Sequence, residues 1–385
     1  MAHDAFSDWT DRLFSEPMRR AAYLIEEACD NYLIKVYRDL DFHGRFDEPR
    51  SALDIAGALG FAETADIALD AMLWRLSRHA DLVVALDGDP MRYSGWGAAA
   101  DPAARLAEIE AELTGLGEDY VAPLEFLAFG AEHFEHALRD DPEFMDRILS
   151  GREPEHAELW HRATNVDPLQ DAHGVMGAEF IARNFAGGVI LEIGGGTGNG
   201  TRNLLRRLAE EDGVNRIETY IFTDISMRFI FETRKEIKAD YPELATDWKH
   251  VDINKPLTAQ KIEPESVDLI FAINAAHVAR DLVGFLKECR TCLRPGGRVV
   301  FGERVRDDPR MMAPRELALN LSIYHRTAAE KNADYRPAHC YLTRDNWHDV
   351  LDLAGFEQAE TPPDPARLSA ILPNAYAAVV TAVKG

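Results

Sequence analysis

Three acidic residues stand at the ends of apolar runs in the second half of this chain of 385 residues: Glu192 after Val189–Leu191, Asp224 after Thr219–Thr223, and Asp252 after His250 and Val251. Glu192 is followed at once by Gly194, Gly195, Gly196 and Gly198, and then by a helical pattern that opens near Thr201 with Leu204 and Leu205. A strand, a glycine turn and a helix in that order let a ligand lie against bare backbone at the carboxyl end of a sheet. The dinucleotide motif G-x-G-x-x-G can be threaded through the same glycines, but Glu192 would then set a negative charge against a pyrophosphate. An acid at that point suits a cationic ligand without phosphate. S-adenosylmethionine (SAM) meets this description, with an ammonium group, a sulfonium and an uncharged ribose. Asp224 is then placed to accept hydrogen bonds from both ribose hydroxyls, and Asp252 from the adenine amino group.

A base is needed only where the methyl acceptor carries a proton. His277 lies just beyond the apolar run Val267–Ile273, on the ligand side of the expected sheet. Imidazole is the side chain that most readily exchanges a proton near neutral pH, which suits it to proton abstraction.

These residues need a parallel sheet to bring them together. Val189–Ile193, Thr219–Thr223, Val267–Ile273 and Arg298–Phe301 are apolar runs separated by helical patterns, which predicts βαβ units; a further strand is expected over 375–383. Thr343 is a helix N-cap and Gly355 a C-terminal stop for the last helix. The fold expected is α/β, a Rossmann-like seven-stranded sheet over residues 166–385.

Residues 1–165 are expected to form a separate, mainly helical domain. Helices are predicted over 18–37, 51–60 and 66–80, then a hairpin of Val83–Leu86 and Met91–Tyr93 around Asp87-Gly88. Two helices and a hairpin make a winged-helix unit. Its second helix carries Asp66, Asp70 and Asp81 against Arg75 and Arg78, and the wing tip is Asp87-Gly88-Asp89. The net charge is −24, from 66 acidic and 42 basic residues, and −18 of it falls in residues 1–150, where 31 acids face 13 bases. Duplex binding rests on neutralising phosphates, so nucleic acid is excluded as a partner, and enclosure of substrate or homodimer formation is the expected use of the unit. No apolar run approaches a membrane span and the start lacks an apolar leader, so a cytoplasmic location is expected.

Cys289 and Cys292 form a C-x-x-C inside a helical stretch with no second pair, and are read as helix residues. His133 and His136 share a helix face, with Glu132 and Glu135 beside them but no partner cluster; no metal is expected.

Residues 189–303 resemble the class I SAM-dependent methyltransferases, and more particularly the C-methyltransferase domains of polyketide synthases. The stretches that carry the likeness are Leu191 to Gly198, Tyr220 to Ser226, Ile273-Asn274-Ala275-Ala276-His277 and Leu293 to Gly297. The resemblance implies that Ile225, Ile253 and Asn274 join the cofactor set, and that Glu303, at the end of the next strand, orients and polarises His277. The layout with a winged helix in front resembles the dimeric small-molecule O-methyltransferases, which also place a histidine after the fourth strand.

Between the fifth strand and the last helix, residues 304–344 carry eight basic and five acidic residues with Tyr324, His325, Tyr335 and Tyr341 interleaved. Tyr324, His325, Arg326 and Tyr341 are the candidate acceptor contacts, and a basic, aromatic segment suits a carboxylate or phosphate. Arginines paired with the acidic first half explain the same count. The sequence contains no carrier-protein or ketosynthase segment, so a free small molecule is the expected acceptor. The reading is O- or C-methylation assisted by His277. S-methylation of a thioether or thiol carboxylate, a non-methylating reaction on the same fold, and a winged-helix regulator are its rivals.

Overall fold

The computed structural model describes residues 2–326, 335, 341–372 and 375–385. Lys331, Arg336 and Cys340 therefore lie outside the described residues, as do Glu330 and Asp334.

The helical part follows the sequence pattern closely. Helices run over Glu16–Asp39, Ala52–Leu59 and Asp66–His79. Ser51 caps the second with a full capping box to Asp54, worth about 1 kcal/mol, and Gly60 ends it at φ 70°. β1 (Arg50–Ser51), β2 (Val84–Leu86) and β3 (Arg92–Ser94) form a small antiparallel sheet in the order β1-β3-β2, completing the winged helix.

The helix that would read a groove in a DNA-binding winged helix is turned inward. Arg75 on it is fully buried: Nε donates to Asp30 at 2.6 Å, and Nη1 lies 2.8 Å from Glu26 and 2.7 Å from the Met312 carbonyl. Trp74 donates to Asp308 at 3.2 Å. The unit is thus clamped to residues 308–312, which follow the last parallel strand.

The second sheet has seven strands: β4 (Gly188–Glu192), β5 (Ile217–Asp224), β6 (Thr246–His250), β7 (Val267–Ile273), β8 (Leu293–Arg306), β9 (Glu357–Glu360) and β10 (Ala375–Val383), in the order β6-β5-β4-β7-β8-β10-β9. The five from β4 to β8 pair in parallel; β10 runs antiparallel between β8 and β9. The chain order reverses between β4 and β7, and the crevice at their carboxyl ends is where such sheets hold ligands.

Two apolar cores form, and they exchange segments across residue 165. Phe6, Phe14, Met18 and Ala22 pack into the sheet's core, while Met312, Ala313, Leu317–Leu319, Leu321 and Tyr341 pack into the helical one. Cys289 and Cys292 are buried in the sheet's core, with burial pushing both thiols up. His133 packs at a tilt against Phe129 and Phe144, at 4.4 and 4.9 Å between ring centroids. Among the described residues, no helix is long and apolar enough to cross a membrane.

Candidate functional site

A cavity of about 740 Å³ opens at the carboxyl ends of β4, β5 and β7. One wall is the glycine loop after β4. Gly195 N–H donates to the Thr223 carbonyl at 2.9 Å, and Gly196 N–H to Asp224 Oδ2 at 2.8 Å, so the end of β5 ties the loop down. Gly196 holds φ 54°, and a Cβ on Gly195 would stand 2.2 Å from the Phe222 ring. Gly195 has no room for a side chain and most side chains would be strained at Gly196, so bare backbone faces the cavity.

Glu192 is 1% exposed, and its Oε2 accepts from Thr201 Oγ1 and from Tyr220 OH at 2.8 Å. Burial outweighs these two hydroxyls and pushes its carboxyl up to about 7. A cation in the cavity would restore its charge. Asp224 accepts from Gly196 N–H on one oxygen and Ser226 N–H, at 2.6 Å, on the other. Each oxygen keeps a further lone pair for a diol. Burial raises its carboxyl as well.

The other wall is built where β7 and β8 end side by side. His277 and Glu303 are 2% and 0% exposed, and His277 Nδ1 lies 2.7 Å from Glu303 Oε2. Glu303 Oε1 accepts from the backbone N–H groups of Ala276 and His277, at 2.9 and 3.3 Å. One carboxylate therefore fixes both the loop and the imidazole. Tyr341 packs on the His277 ring at 4.7 Å between centroids, with His325 at 6.3 Å. Burial first, then the charges of His277 and Arg315, pushes His325 down to about 3, so it is neutral at working pH.

Of the residues read from the sequence, Glu192, Gly194, Gly195, Gly196, Asp224, Ile225, Ile253, Asn274, His277, Tyr324, His325 and Tyr341 all line this cavity. Glu303 stands directly behind His277. Three expectations change. Gly198 (φ 82°) is the N-cap of helix Asn199–Ala209, packed toward Thr233 instead of the cavity. β6 ends at His250, and Val251 N–H gives the last ladder hydrogen bond to the Asp224 carbonyl at 3.0 Å. Asp252 is left in a turn, accepting from Asn254 N–H at 2.9 Å with Lys255 Nζ at 3.2 Å, and its neighbours Val251 and Ile253 supply the wall. Arg326 is fully buried, donates to the Asn320 carbonyl at 2.9 Å and does not line the cavity.

The basic segment is also mostly spoken for. Arg306 pairs with Glu316 at 2.7 Å, both buried, and Arg310 lies 3.6 Å from Asp70. Arg315 reaches the wall, but its Nη1 donates to the Ala163 carbonyl at 2.6 Å and lies 3.3 Å from Asp167. Sequence reasoning missed the rest of the lining, notably Asp146, Ser150–Arg152, Trp160, Thr164 and Gln170 from the helical part. Asp146 accepts from Ser322 Oγ, Ile323 N–H and Tyr324 N–H, and so holds two distant segments at one rim.

Residues 191–299 match the model of a family described as a methyltransferase domain. A highly reducing polyketide synthase of Pyrenophora dematioidea is 29% identical over 171 residues, which are 44% of this chain and 6% of that protein. The chain thus spans a small fraction of the curated relatives it matches. Among solved structures, the CurJ carbon methyltransferase superposes with a TM-score of 0.79 at 20% identity, covering 99% of this chain and 96% of that one. The trans-methyltransferase CalH, solved with S-adenosylhomocysteine (SAH), gives a TM-score of 0.62 at 20% identity, covering 96% and 92%. The likeness of fold extends over the winged-helix part as well as the sheet.

Proposed function

We propose that this chain, a SAM-dependent methyltransferase by its family match and its fold, methylates the carbon between two carbonyls of a polyketide-like acyl acceptor. The buried His277–Glu303 pair on the cavity wall, 2.7 Å from nitrogen to oxygen, carries this reading. A carbon acid must lose a proton before it becomes a nucleophile, and an imidazole held through Nδ1 presents Nε2 for that task. Glu303 fixes the tautomer and stabilises the imidazolium that forms. Bound SAM supplies the methyl group: a carbon–carbon bond forms to it as the carbon–sulfur bond breaks, and that electron pair stays on sulfur.

The glycine loop, Glu192 and Asp224 hold the cofactor in line, where positioning supplies much of the rate. The kinship with polyketide synthases supports an acyl acceptor. Arg152, Arg228 and Arg315 on the wall each donate to a protein oxygen through at least one nitrogen, and none forms a bidentate clamp that would select a carboxylate over an acyl carbonyl. The same reading takes the acceptor as a small molecule and the working form as a homodimer, with neither nucleic acid nor membrane as partner.

The test is incubation with SAM and the acetoacetyl thioester of N-acetylcysteamine, with the product's methyl group located by NMR. A methyl on the central carbon is the expected result. A methyl on oxygen, or none transferred while SAM binds, would overturn C-methylation.

A further inference from the structure

Asn274 is the first residue after β7 and sits at φ 45°, a left-handed conformation that asparagine tolerates better than most residues. Its backbone N–H donates to the Gly302 carbonyl at 2.8 Å, and its side-chain Oδ1 accepts from Arg304 N–H at 2.9 Å. An amide whose oxygen is fixed by a backbone N–H has only one orientation, so the NH₂ group must point the other way. That Nδ2 is buried, and among the described residues it has no hydrogen-bond partner. Asn274 lines the same cavity as His277.

A buried donor without an acceptor is destabilising, and such groups ask for a functional account. The surroundings supply one. Three consecutive residues of β8 hold the whole loop: the Gly302 carbonyl takes Asn274 N–H, the Glu303 carboxylate takes Ala276 N–H, His277 N–H and His277 Nδ1, and Arg304 N–H fixes the Asn274 amide. The amide and the imidazole are thus set in one rigid frame. Removing a proton from a carbon acid leaves a negative charge, which comes to rest on the neighbouring carbonyl oxygen and needs a preset donor. Arg315, the arginine on the cavity wall, turns Nη1 away to the Ala163 carbonyl and Asp167.

We propose that Asn274 Nδ2 is the donor for this oxygen. As His277 takes the proton from the acceptor carbon, the C–H electron pair moves into the carbon–carbon bond and the carbonyl π pair onto oxygen, where the Asn274 amide hydrogen-bonds it. Asn274 then belongs to the acceptor and not to the cofactor. This inference rests on the C-methylation reading above.

The experiment uses wild-type protein saturated with SAH and the acetoacetyl thioester of N-acetylcysteamine as probe. Ultraviolet absorbance of the bound enolate is followed against pH, and turnover with SAM is measured in parallel. Asn274→Asp keeps the left-handed backbone and the acceptor for Arg304 N–H but puts an oxygen where the donor was; Asn274→Gly keeps the backbone and deletes the group. Both variants should methylate about 10²- to 10³-fold more slowly, the usual loss for one such donor. The pH at which bound probe ionises should rise by about two units, which is the hundredfold loss in logarithmic form. SAM affinity by calorimetry should stay within about threefold. Variants that ionise the probe as wild type does, or that lose SAM affinity in step with turnover, would overturn the role of Asn274. A wild-type protein that neither ionises nor C-methylates the probe would overturn the C-methylation reading itself, a result separable from the first.

Discussion

The two walls of the cavity are built on opposite principles. The cofactor wall is bare backbone steadied by acids: Gly195 and Gly196 hang from the end of β5, and Glu192 and Asp224 stand behind them, each short of full electrostatic compensation. The wall proposed for the acceptor is side chain set by β8, with Asn274 fixed by the Arg304 backbone N–H and His277 by the Glu303 carboxylate. The first arrangement suits a ligand that brings positive charge and diol hydrogens. The second suits a group that gains negative charge only during reaction. Binding and chemistry are therefore separable by substitution.

The sharpest way to break that separation is to exchange the effects of His277→Ala and Asp224→Ala. Loss of a positioned base costs about 10²–10⁴ in rate, so His277→Ala should lower kcat by that range while SAM binds as tightly as before in calorimetry. Asp224→Ala should do the reverse, weakening SAM on the order of tenfold or more, since it removes both a diol acceptor and the tie to Gly196. A His277 variant that loses SAM affinity equally would merge the two walls into one.

Glu303→Gln probes the link between them at smaller cost. The amide oxygen can still accept from the backbone N–H groups of Ala276 and His277, so the loop should keep its shape. What is lost is a negative charge 2.7 Å from His277 Nδ1. We expect kcat to fall about ten- to a hundredfold with KM for the acceptor nearly unchanged, a split that a merely structural carboxylate would not give. A KM effect of the same size would point to a displaced loop instead.

The unequal legibility of the walls has the same origin. The glycine loop, Glu192, Asp224, His277 and Glu303 could be read from the sequence because each is fixed within a few residues of a strand end, where apolar runs and glycines leave a local pattern. Asp252 lies two residues past the end of β6, where Asn254 N–H and Lys255 take up its carboxylate, and no local pattern announces that turn. Gly198 was drawn in by glycine spacing, though its role is to start a helix. The acceptor wall from the helical part left no such trace: Trp160 and Gln170 reach the cavity only through tertiary packing, and Asp146 finds its partners 176 to 178 residues away. Counting charges in residues 304–344 finds the excess of base and leaves its two uses, gripping an acceptor or pairing within the protein, undivided. Arg306, Arg315 and Arg326 are buried and bonded within the protein, which no count can show.

The smallest expected effect sharpens the comparison from the cofactor side. Glu192, pushed up to about 7 chiefly by burial, with the Thr201 and Tyr220 hydroxyls pulling back and Asp224 adding to the rise, takes up a proton in the empty protein as pH falls through that value. The cofactor's ammonium group favours the charged carboxylate, so only the deprotonated fraction is competent to bind. That fraction falls from about three quarters at pH 7.5 to about a tenth at pH 6, so SAM affinity should drop roughly eightfold over the interval. The folded-state value is raised above the ordinary 4.5, so the empty protein gains stability from this group at low pH and loses it as pH rises through about 7. Stability and affinity should therefore run in opposite directions across the same window, which an unspecific acid effect would not produce. Glu192→Gln keeps acceptors for Thr201 and Tyr220, and it should flatten both trends while leaving SAM weakly bound at every pH. Calorimetric titrations at pH 6 and 7.5, with thermal melts of the empty protein at the same two values, decide the point. An affinity that does not change with pH in wild type would mean that the acid behind the glycine loop never meets the cofactor's charge.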